Sequence, residues 1–310
     1  MSKKIIFMGT PLFSVPIMKS LYQNGYPIEV VYTQPPQKSH RGQRINKSPI
    51  QGLSETLNLN FRSPQSLENN IEEYNFLKKI NADLAIVVAY GKIIPKEFLS
   101  LTKKGFINIH ASLLPKWRGA APIQRSIMNL DEETGISVMK INEELDSGPI
   151  SNIYKIKLNQ NLNAQEVSEQ LSLLAADKIL DNVDDILDGK SKFKDQDHSE
   201  ATYAKKILKS EGQIDWRDDA FKILGKINGL FPFPGAFFNF NGERYKILKA
   251  EIGNGTGKSG EVISNSLEIA CNNNKSVKIL EIQREGKKVQ KIGEFMLGSQ
   301  IRKGFVISNV

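Results

Sequence analysis

The chain has 310 residues, 40% of them hydrophobic and 25% charged, and a net charge of +8. At roughly 100–200 residues per domain this length predicts two domains, and one cysteine, Cys271, excludes an internal disulfide and any cysteine-cluster metal or dithiol chemistry. No apolar run approaches the ~20 residues of a membrane span, and the opening MSKKIIFMGT reaches a Gly-Thr-Pro turn too early for a signal peptide, so the expected compartment is the cytoplasm.

Residues 4–8 are a short apolar run closed by Gly9-Thr10-Pro11, the pattern of a buried parallel strand and a turn. Residues 13–23 have helical spacing and stop at Asn24-Gly25, and 28–33 form a second strand. Residues 35–49 are rich in Pro, Gly, Lys and Arg with no apolar period, a long polar loop of the functional or disordered kind. Helices are predicted at 48–57 and 66–80, the second with Ser66 as N-cap and Glu68 and Glu72 in its first turns. The continuous apolar run 84–89 reads as a central strand and 105–110 as another, while 135–141 and 153–158 alternate like a hairpin pair at an edge. Residues 164–187 form a long amphipathic helix. Strands alternating with helices define an α/β domain with a Rossmann-like, mostly parallel sheet over 1–189, followed by a polar linker over 190–205.

From 206 the pattern changes. One helix at 218–230 is followed by short β-like runs at 236–240, 244–251, 260–264, 267–270, 277–283 and 305–307, with turn signals such as Asn241-Gly242 between them. This spacing predicts a small barrel over 206–310, with Phe231, Phe233, Phe237 and Phe238 in its core rather than against a ligand. That segment holds 17 Lys and Arg against 11 Asp and Glu, whereas the first 205 residues hold 25 against 23, and the excess hints at a polyanionic partner.

The first turn lacks the G-x-G-x-x-G of a dinucleotide fold, and no Gly-Lys-Ser/Thr phosphate loop occurs. The crevice at the carboxyl ends of the strands remains the expected site, which singles out residues 9–13, 89–95, 108–115 and 142–148. Asn108 and His110 are two apart on one strand and so share a face, and Asp146 follows the next strand. An amide donor, an imidazole and a carboxylate suit acyl transfer: the amide steadies an oxyanion, the imidazole moves a proton, and the carboxylate supports the imidazole. With only His40, His110 and His198 in the chain, and two of them in polar segments, a metal site of several histidines is not expected.

The loop after His110 reads ASLLPKWRGAAPIQ, and it resembles the signature of the formyltransferases that use 10-formyltetrahydrofolate. The likeness extends to Ile6–Pro11, Thr33-Gln34-Pro35, Val87–Gly91, Leu145–Gly148, Thr202–Lys206 and Ile214–Trp216, nearly the whole chain. The resemblance implies Asn108, His110 and Asp146 as catalytic residues. It also implies folate contacts at Ser112, Leu113, Leu114 and Pro115 and along the backbone of Val88, Tyr90 and Gly91. It implies an OB-like C-terminal β-barrel, and tRNA contacts at Arg41, Arg44 and Lys47 in the polar loop. The implied reaction moves a formyl group from 10-formyltetrahydrofolate to the α-amine of methionyl-initiator tRNA, without a metal, in a monomeric protein. Glu143, Glu144 and Pro149 depart from the family pattern beside the folate pocket. Rival readings are a formyltransferase for a small amine such as a sugar nucleotide or purine precursor, a formyl-folate hydrolase, and a non-catalytic tRNA- or folate-binding protein; the cationic loop and basic barrel set the first two aside, because a small acceptor needs neither.

Overall fold

Four apolar parallel strands and a two-residue edge strand organise the first half of the chain. The computed structural model describes residues 3–38 and 45–307. In chain order its elements are β1 (Ile5–Gly9), α1 (Val15–Gln23), β2 (Ile28–Tyr32), the short β3 (Gln37–Lys38) and β4 (Ile45–Asn46), α2 (Pro49–Thr56), β5 (Phe61–Arg62), α3 (Ile71–Ile80), β6 (Leu84–Val88), α4 (Lys96–Leu99) and β7 (Phe106–His110). There follow β8 (Arg118–Gly119), α5 (Pro122–Met128), β9 (Glu133–Lys140), β10 (Ile150–Lys157), α6 (Ala164–Leu187), β11 (Tyr203–Ala204), α7 (Ala220–Gly229), β12 (Ala236–Phe240), β13 (Glu243–Gly253), β14 (Glu268–Ala270), β15 (Ser276–Arg284), β16 (Val289–Lys291) and α8 (Ile292–Gly298).

The chain divides into two compact units. The first comprises Met1–Gly119, Gly135–Lys155 and Ser168–Tyr203. Its sheet runs β10-β9-β7-β6-β1-β2-β5. Strands β1, β2, β5, β6 and β7 pair in parallel, and β9 is antiparallel to β7. Every residue of β1 and β6 is buried, which is why both read as unbroken apolar runs and not as alternations. Helix α6 is laced to the first helical segment: Ser20 and Tyr26 donate to the carbonyls of Ala176 and Leu180, and Ser172 donates to that of Phe13.

The helix expected from residue 66 begins at Ile71, because Asn70 and not Ser66 accepts the first-turn N–H of Glu73. Ser66 caps a turn instead, its hydroxyl accepting from Glu68 N–H, and Asn69 at φ 56° interrupts any helix that would span both. The expected edge pair is present as β9 and β10, with β10 outermost.

The second unit gathers Ala120–Thr134 and Ile156–Val167 with Ala204–Val310. Its antiparallel, curled sheet runs β12-β13-β15-β14, with β16 on β15. Trp216, Phe238, Tyr245 and Phe295 form a chain of ring contacts through its core, at centroid distances of 6.0, 5.4 and 5.8 Å. Burial in this core pushes the Cys271 thiol up to about 12, as expected of an inert structural cysteine. The strands expected at 260–264 and 305–307 are reduced to single bridges, Glu261 with Val306 and Val262 with Ile269. The turns at Gly260, Ser264 and Gly304 leave no room for a ladder. Helix α8 is not foreshadowed in the sequence: its apolar residues Ile292, Phe295 and Met296 pack on the core, but seven residues are too few to display a period.

Residues 120–134 join the second unit through a close helix crossing. A Cβ on Gly225 would lie 2.8 Å from Leu130 Cδ2, and one on Gly229 would lie 2.6 Å from Met128 Cγ and 2.9 Å from the Gln124 carbonyl oxygen. The two glycines, four apart on α7, let it approach the backbone of α5. Gly229→Val is expected to destabilise this unit by about 1–3 kcal/mol through overpacking. Thermal unfolding checks this: an unchanged midpoint would show that the crossing tolerates the added bulk.

Candidate active site

The carboxyl ends of β1, β2 and β6 are tied together by short polar links. The Ser14 hydroxyl donates to the Val88 carbonyl at 2.6 Å, and Thr10 donates to that of Tyr90 at 2.9 Å. The Gln34 amide donates to the carbonyls of Tyr90 and Gly91 at 3.0 and 3.2 Å. Gly9 is explained by packing and not by a phosphate, since a Cβ there would meet the Phe7 ring at 2.8 Å and Ser14 Cβ at 2.9 Å. The side chains of Val88 and Tyr90 are buried, while Ala89 and Gly91, at φ 47° and 75°, turn exposed backbone outward. Two large apolar side chains on these loops, Leu12 and Ile93, are 74% and 70% exposed. Residues 89–91 therefore offer backbone, and their neighbours offer apolar surface, to a flat ligand.

Strand β7 carries two of the three residues expected to react, Asn108 and His110. Asn108 pairs in register with Val87 and Met139, and His110 with Ser137. The His110 ring is 6% exposed, and its Nε2 lies 2.9 Å from the Trp117 carbonyl oxygen. A carbonyl only accepts, so Nε2 carries the hydrogen and the neutral ring keeps its lone pair at Nδ1. That Nδ1 faces Asp146 Oδ2 at 3.5 Å, and the Asn108 amide reaches Asp146 Oδ1 at 3.4 Å. The three predicted residues thus meet on one side of the strand. The arrangement differs from a relay in which the carboxylate grips the far nitrogen of the ring. Here a backbone carbonyl fixes the far nitrogen, and Asp146 shares the working edge.

Asp146 does not arrive as the chain order suggested. Because β9 is antiparallel to β7, Lys140 at its end lies opposite Ile107, near the start of β7. The segment 141–149 must double back along the strand to bring Asp146 to Asn108 and His110. A cavity of about 400 Å³ lined by Lys103, Lys104, Gly105, Lys140 and Phe193 lies at the start of β7, away from the end that carries His110. Within the returning loop, a Cβ on Gly148 would collide with the Lys140 carbonyl. The backbone of Asp146 itself is left-handed at φ 47°. Glu143 pairs with Lys96 at 2.6 Å, and both are well exposed. Glu144 is exposed too, and the Pro149 carbonyl accepts from Lys140 N–H at 2.9 Å.

The loop after His110 is held from within. Ser112 is fully buried, its hydroxyl donating to the Lys116 carbonyl at 2.6 Å and its own carbonyl accepting from Ser137 at 2.7 Å. The Ser137 hydroxyl oxygen in turn accepts from Leu114 N–H at 3.1 Å. Ser112 and Leu114 therefore shape the loop, and Leu113 and Pro115 are the half-exposed members of the predicted four. Arg41 and Arg44 lie outside the described residues. Lys47 is exposed and already donates to both carboxylate oxygens of Glu55, at 3.0 and 2.9 Å. Of the four phenylalanines expected in the barrel core, Phe237 and Phe238 are buried, Phe231 is half-buried, and Phe233 is 69% exposed beneath the Lys209 ammonium. It sits in the turn before β12, where alternation gives no guide.

Gln196 joins the site unexpectedly. It lies in the polar stretch read as a linker, yet it is 6% exposed and donates to the carbonyls of Asp146 and Gly148 at 2.9 and 2.8 Å. One polar residue in a polar segment carries no signal of burial.

An amide, an imidazole and a carboxylate gathered in this way suit an acyl-transferring enzyme. Residues 3–182 match the formyl transferase family and residues 206–300 match the formyl transferase C-terminal domain, and the chain belongs to the formyl transferase family. It is 65% identical over 310 residues to the methionyl-tRNA formyltransferase of Pelagibacter ubique, covering 100% of both chains. It is 41% identical to that of Chelativorans sp., over 98% of this chain and 99% of the relative. Among solved structures, the N-formyltransferase from Helicobacter canadensis superposes with a TM-score of 0.69 at 18% identity, over 90% of this chain and 99% of that one. The sugar 3N-formyl transferase WlaRD does so with a TM-score of 0.67 at 16% identity, over 93% and 100%. These two share the fold.

Proposed function

We propose that the protein transfers a formyl group from 10-formyltetrahydrofolate to the α-amine of methionyl-initiator tRNA, in the cytoplasm and as a monomer, with no metal. The observation that carries this reading is the meeting of Asn108, His110 Nδ1 and Asp146 in a member of the formyl transferase family. The unprotonated amine attacks the formyl carbon and a new C–N bond forms. The Asn108 amide, bound to Asp146 only at 3.4 Å, turns a hydrogen to the developing oxyanion. His110 Nδ1 takes the proton released by the attacking nitrogen, and the carboxylate 3.5 Å away steadies the imidazolium. The same proton passes to the folate nitrogen as its bond to the formyl carbon breaks, leaving formyl-methionyl-tRNA and tetrahydrofolate.

The folate ring lies against the backbone of Val88, Tyr90 and Gly91, with Ser112, Leu113, Leu114 and Pro115 forming the adjoining loop. Exposed Leu12 and Ile93 support an apolar ligand there. Arg41, Arg44 and Lys47 hold phosphates near the acceptor end, and residues 206–310 extend the tRNA surface. A formylation assay with charged initiator tRNA, charged elongator tRNA and free methionine tests the reading. Initiator tRNA is expected to react well ahead of the other two, and equal formylation of free methionine would overturn the assignment.

A further inference from the structure

The carboxylate proposed to serve His110 stands on a loop tied at its ends by the Lys140–Pro149 backbone bond and on its surface by the exposed Glu143–Lys96 pair, neither of which touches Asp146. The loop returns from the far end of β9, is exposed at residues 142–145, and places Asp146 in a left-handed conformation that is uncommon outside glycine, though aspartate adopts it more readily than most residues. Inside the loop, the Ser147 hydroxyl and Asn142 amide close a small ring of hydrogen bonds at 2.9 and 3.0 Å, which shapes the turn from within.

The anchor comes from more than forty residues downstream. The Gln196 amide nitrogen donates to the Asp146 carbonyl at 2.9 Å and the Gly148 carbonyl at 2.8 Å, one hydrogen to each. The amide oxygen accepts twice from Arg118, from Nε at 3.0 Å and from a terminal nitrogen at 2.7 Å. Arg118 is 2% exposed, and its other terminal nitrogen lies 3.4 Å from His198 Nδ1. The segment bearing Gln196 is itself pinned by paired backbone bonds between Lys194 and Ile150 at 2.8 and 2.9 Å. The guanidinium polarises the amide it binds, so the amide N–H groups donate more strongly to the two loop carbonyls. Arg118 is also followed directly by Gly119, whose N–H donates to Asp146 Oδ2 at 2.8 Å. One strand thus holds both the backbone of Asp146, through Gln196, and its carboxylate, through Gly119.

We propose that Arg118 and Gln196 form a latch that fixes the Asp146 carboxylate on the working edge of His110, with Gln196 as a positioning residue of the formyl transfer. This rests on the reading of His110 and Asp146 as the proton-handling pair. The chemistry requires that the imidazolium formed at Nδ1 find its counter-ion already in place, because a carboxylate that must first be reoriented contributes less to the transition state. The latch grips Asp146 by backbone carbonyls and leaves its carboxylate to Gly119, Asn108 and His110.

Two variants separate latch from scaffold. Gln196→Met removes both functions of the amide. Gln196→Glu keeps acceptors for Arg118 but sets a carboxylate against the two loop carbonyls, so the Arg118 side stays paired while the loop is released. Both are expected to lower kcat about 10–100-fold while the KM for each substrate changes less than about threefold, the mark of an interaction made in the transition state. Amide hydrogen exchange gives a readout independent of activity. Gly119 N–H, held by the Asp146 carboxylate, is expected to exchange faster in both variants, while Arg118 N–H, held by the Thr202 carbonyl at 2.9 Å, keeps its protection. Wild-type kcat together with unchanged Gly119 protection would overturn the latch. Equal loss of protection at Gly119 and Arg118 would also overturn it, because it would show general loosening of the strand. If His110→Ala and Asp146→Asn themselves retain full turnover, it is the underlying catalytic assignment that fails.

Discussion

Alanine at Asn108 or at His110 is expected to lower formylation turnover by at least about 10²–10³-fold while tRNA binding survives. The figure for Asn108 is that of one lost oxyanion donor, about 2.7–4 kcal/mol of transition-state stabilisation. Its ground-state bond to Asp146 is long, 3.4 Å, so removing it disturbs the resting site little. The loss therefore falls on kcat and not on stability. His110→Ala removes the proton acceptor and also leaves the Trp117 carbonyl without its donor. His110→Gln separates these effects, because a glutamine amide can donate to a carbonyl but cannot take a proton from an amine. It is expected to keep the thermal midpoint near wild type and to lose turnover as the alanine variant does. Single-turnover formylation alongside filter binding of charged tRNA decides the matter. Near-normal turnover in the Asn108→Ala or His110→Ala protein would sink the catalytic assignment.

Much of this site was legible because its chemistry lies close together in sequence. Asn108 and His110 are fixed on one face by the two-residue period of a strand, and the loop that follows carries a specific signature. The buried strands β1 and β6 were equally readable, since strands covered on both faces must be apolar throughout. What stayed hidden depends on contacts between distant residues. The direction of β9 decides that the Asp146 loop must return, and no local pattern encodes strand direction. The tautomer of His110 depends on a backbone carbonyl seven residues later, whose orientation follows from the left-handed φ of 63° at Trp117, a residue with no propensity for it. Gln196 is polar in a polar stretch, so its burial is visible only once the loop it grips is in place. In the second unit, single bridges and a seven-residue helix fall below the length at which periodicity speaks.

Initiator-tRNA affinity is expected to fall steeply as salt rises, and the slope assigns the phosphate contacts. Each neutralised phosphate releases condensed counterions, so the logarithm of the binding constant falls by roughly 0.7–0.9 per contact for each unit of log salt. A chain with net charge +8, whose excess is concentrated after residue 205, has the charge to make several such contacts. Arg41→Ala and Arg44→Ala are each expected to reduce the slope by about 1, if each guanidinium holds one phosphate. Lys47→Ala is expected to reduce it less. Its ammonium is already bound to both oxygens of Glu55, and both side chains are exposed. Such a surface pair is worth only ~0–1 kcal/mol, so RNA can pull the lysine away. Doing so leaves the Glu55 carboxylate uncompensated beside the phosphate and cancels part of the gain. Glu55→Gln should then raise affinity at low salt in both backgrounds, and more in the wild type, where it also frees the Lys47 ammonium, than in Lys47→Ala, where it only removes the carboxylate. Measured slopes that ignore all three cationic residues would remove the loop from the tRNA surface and leave the barrel to supply the contacts alone.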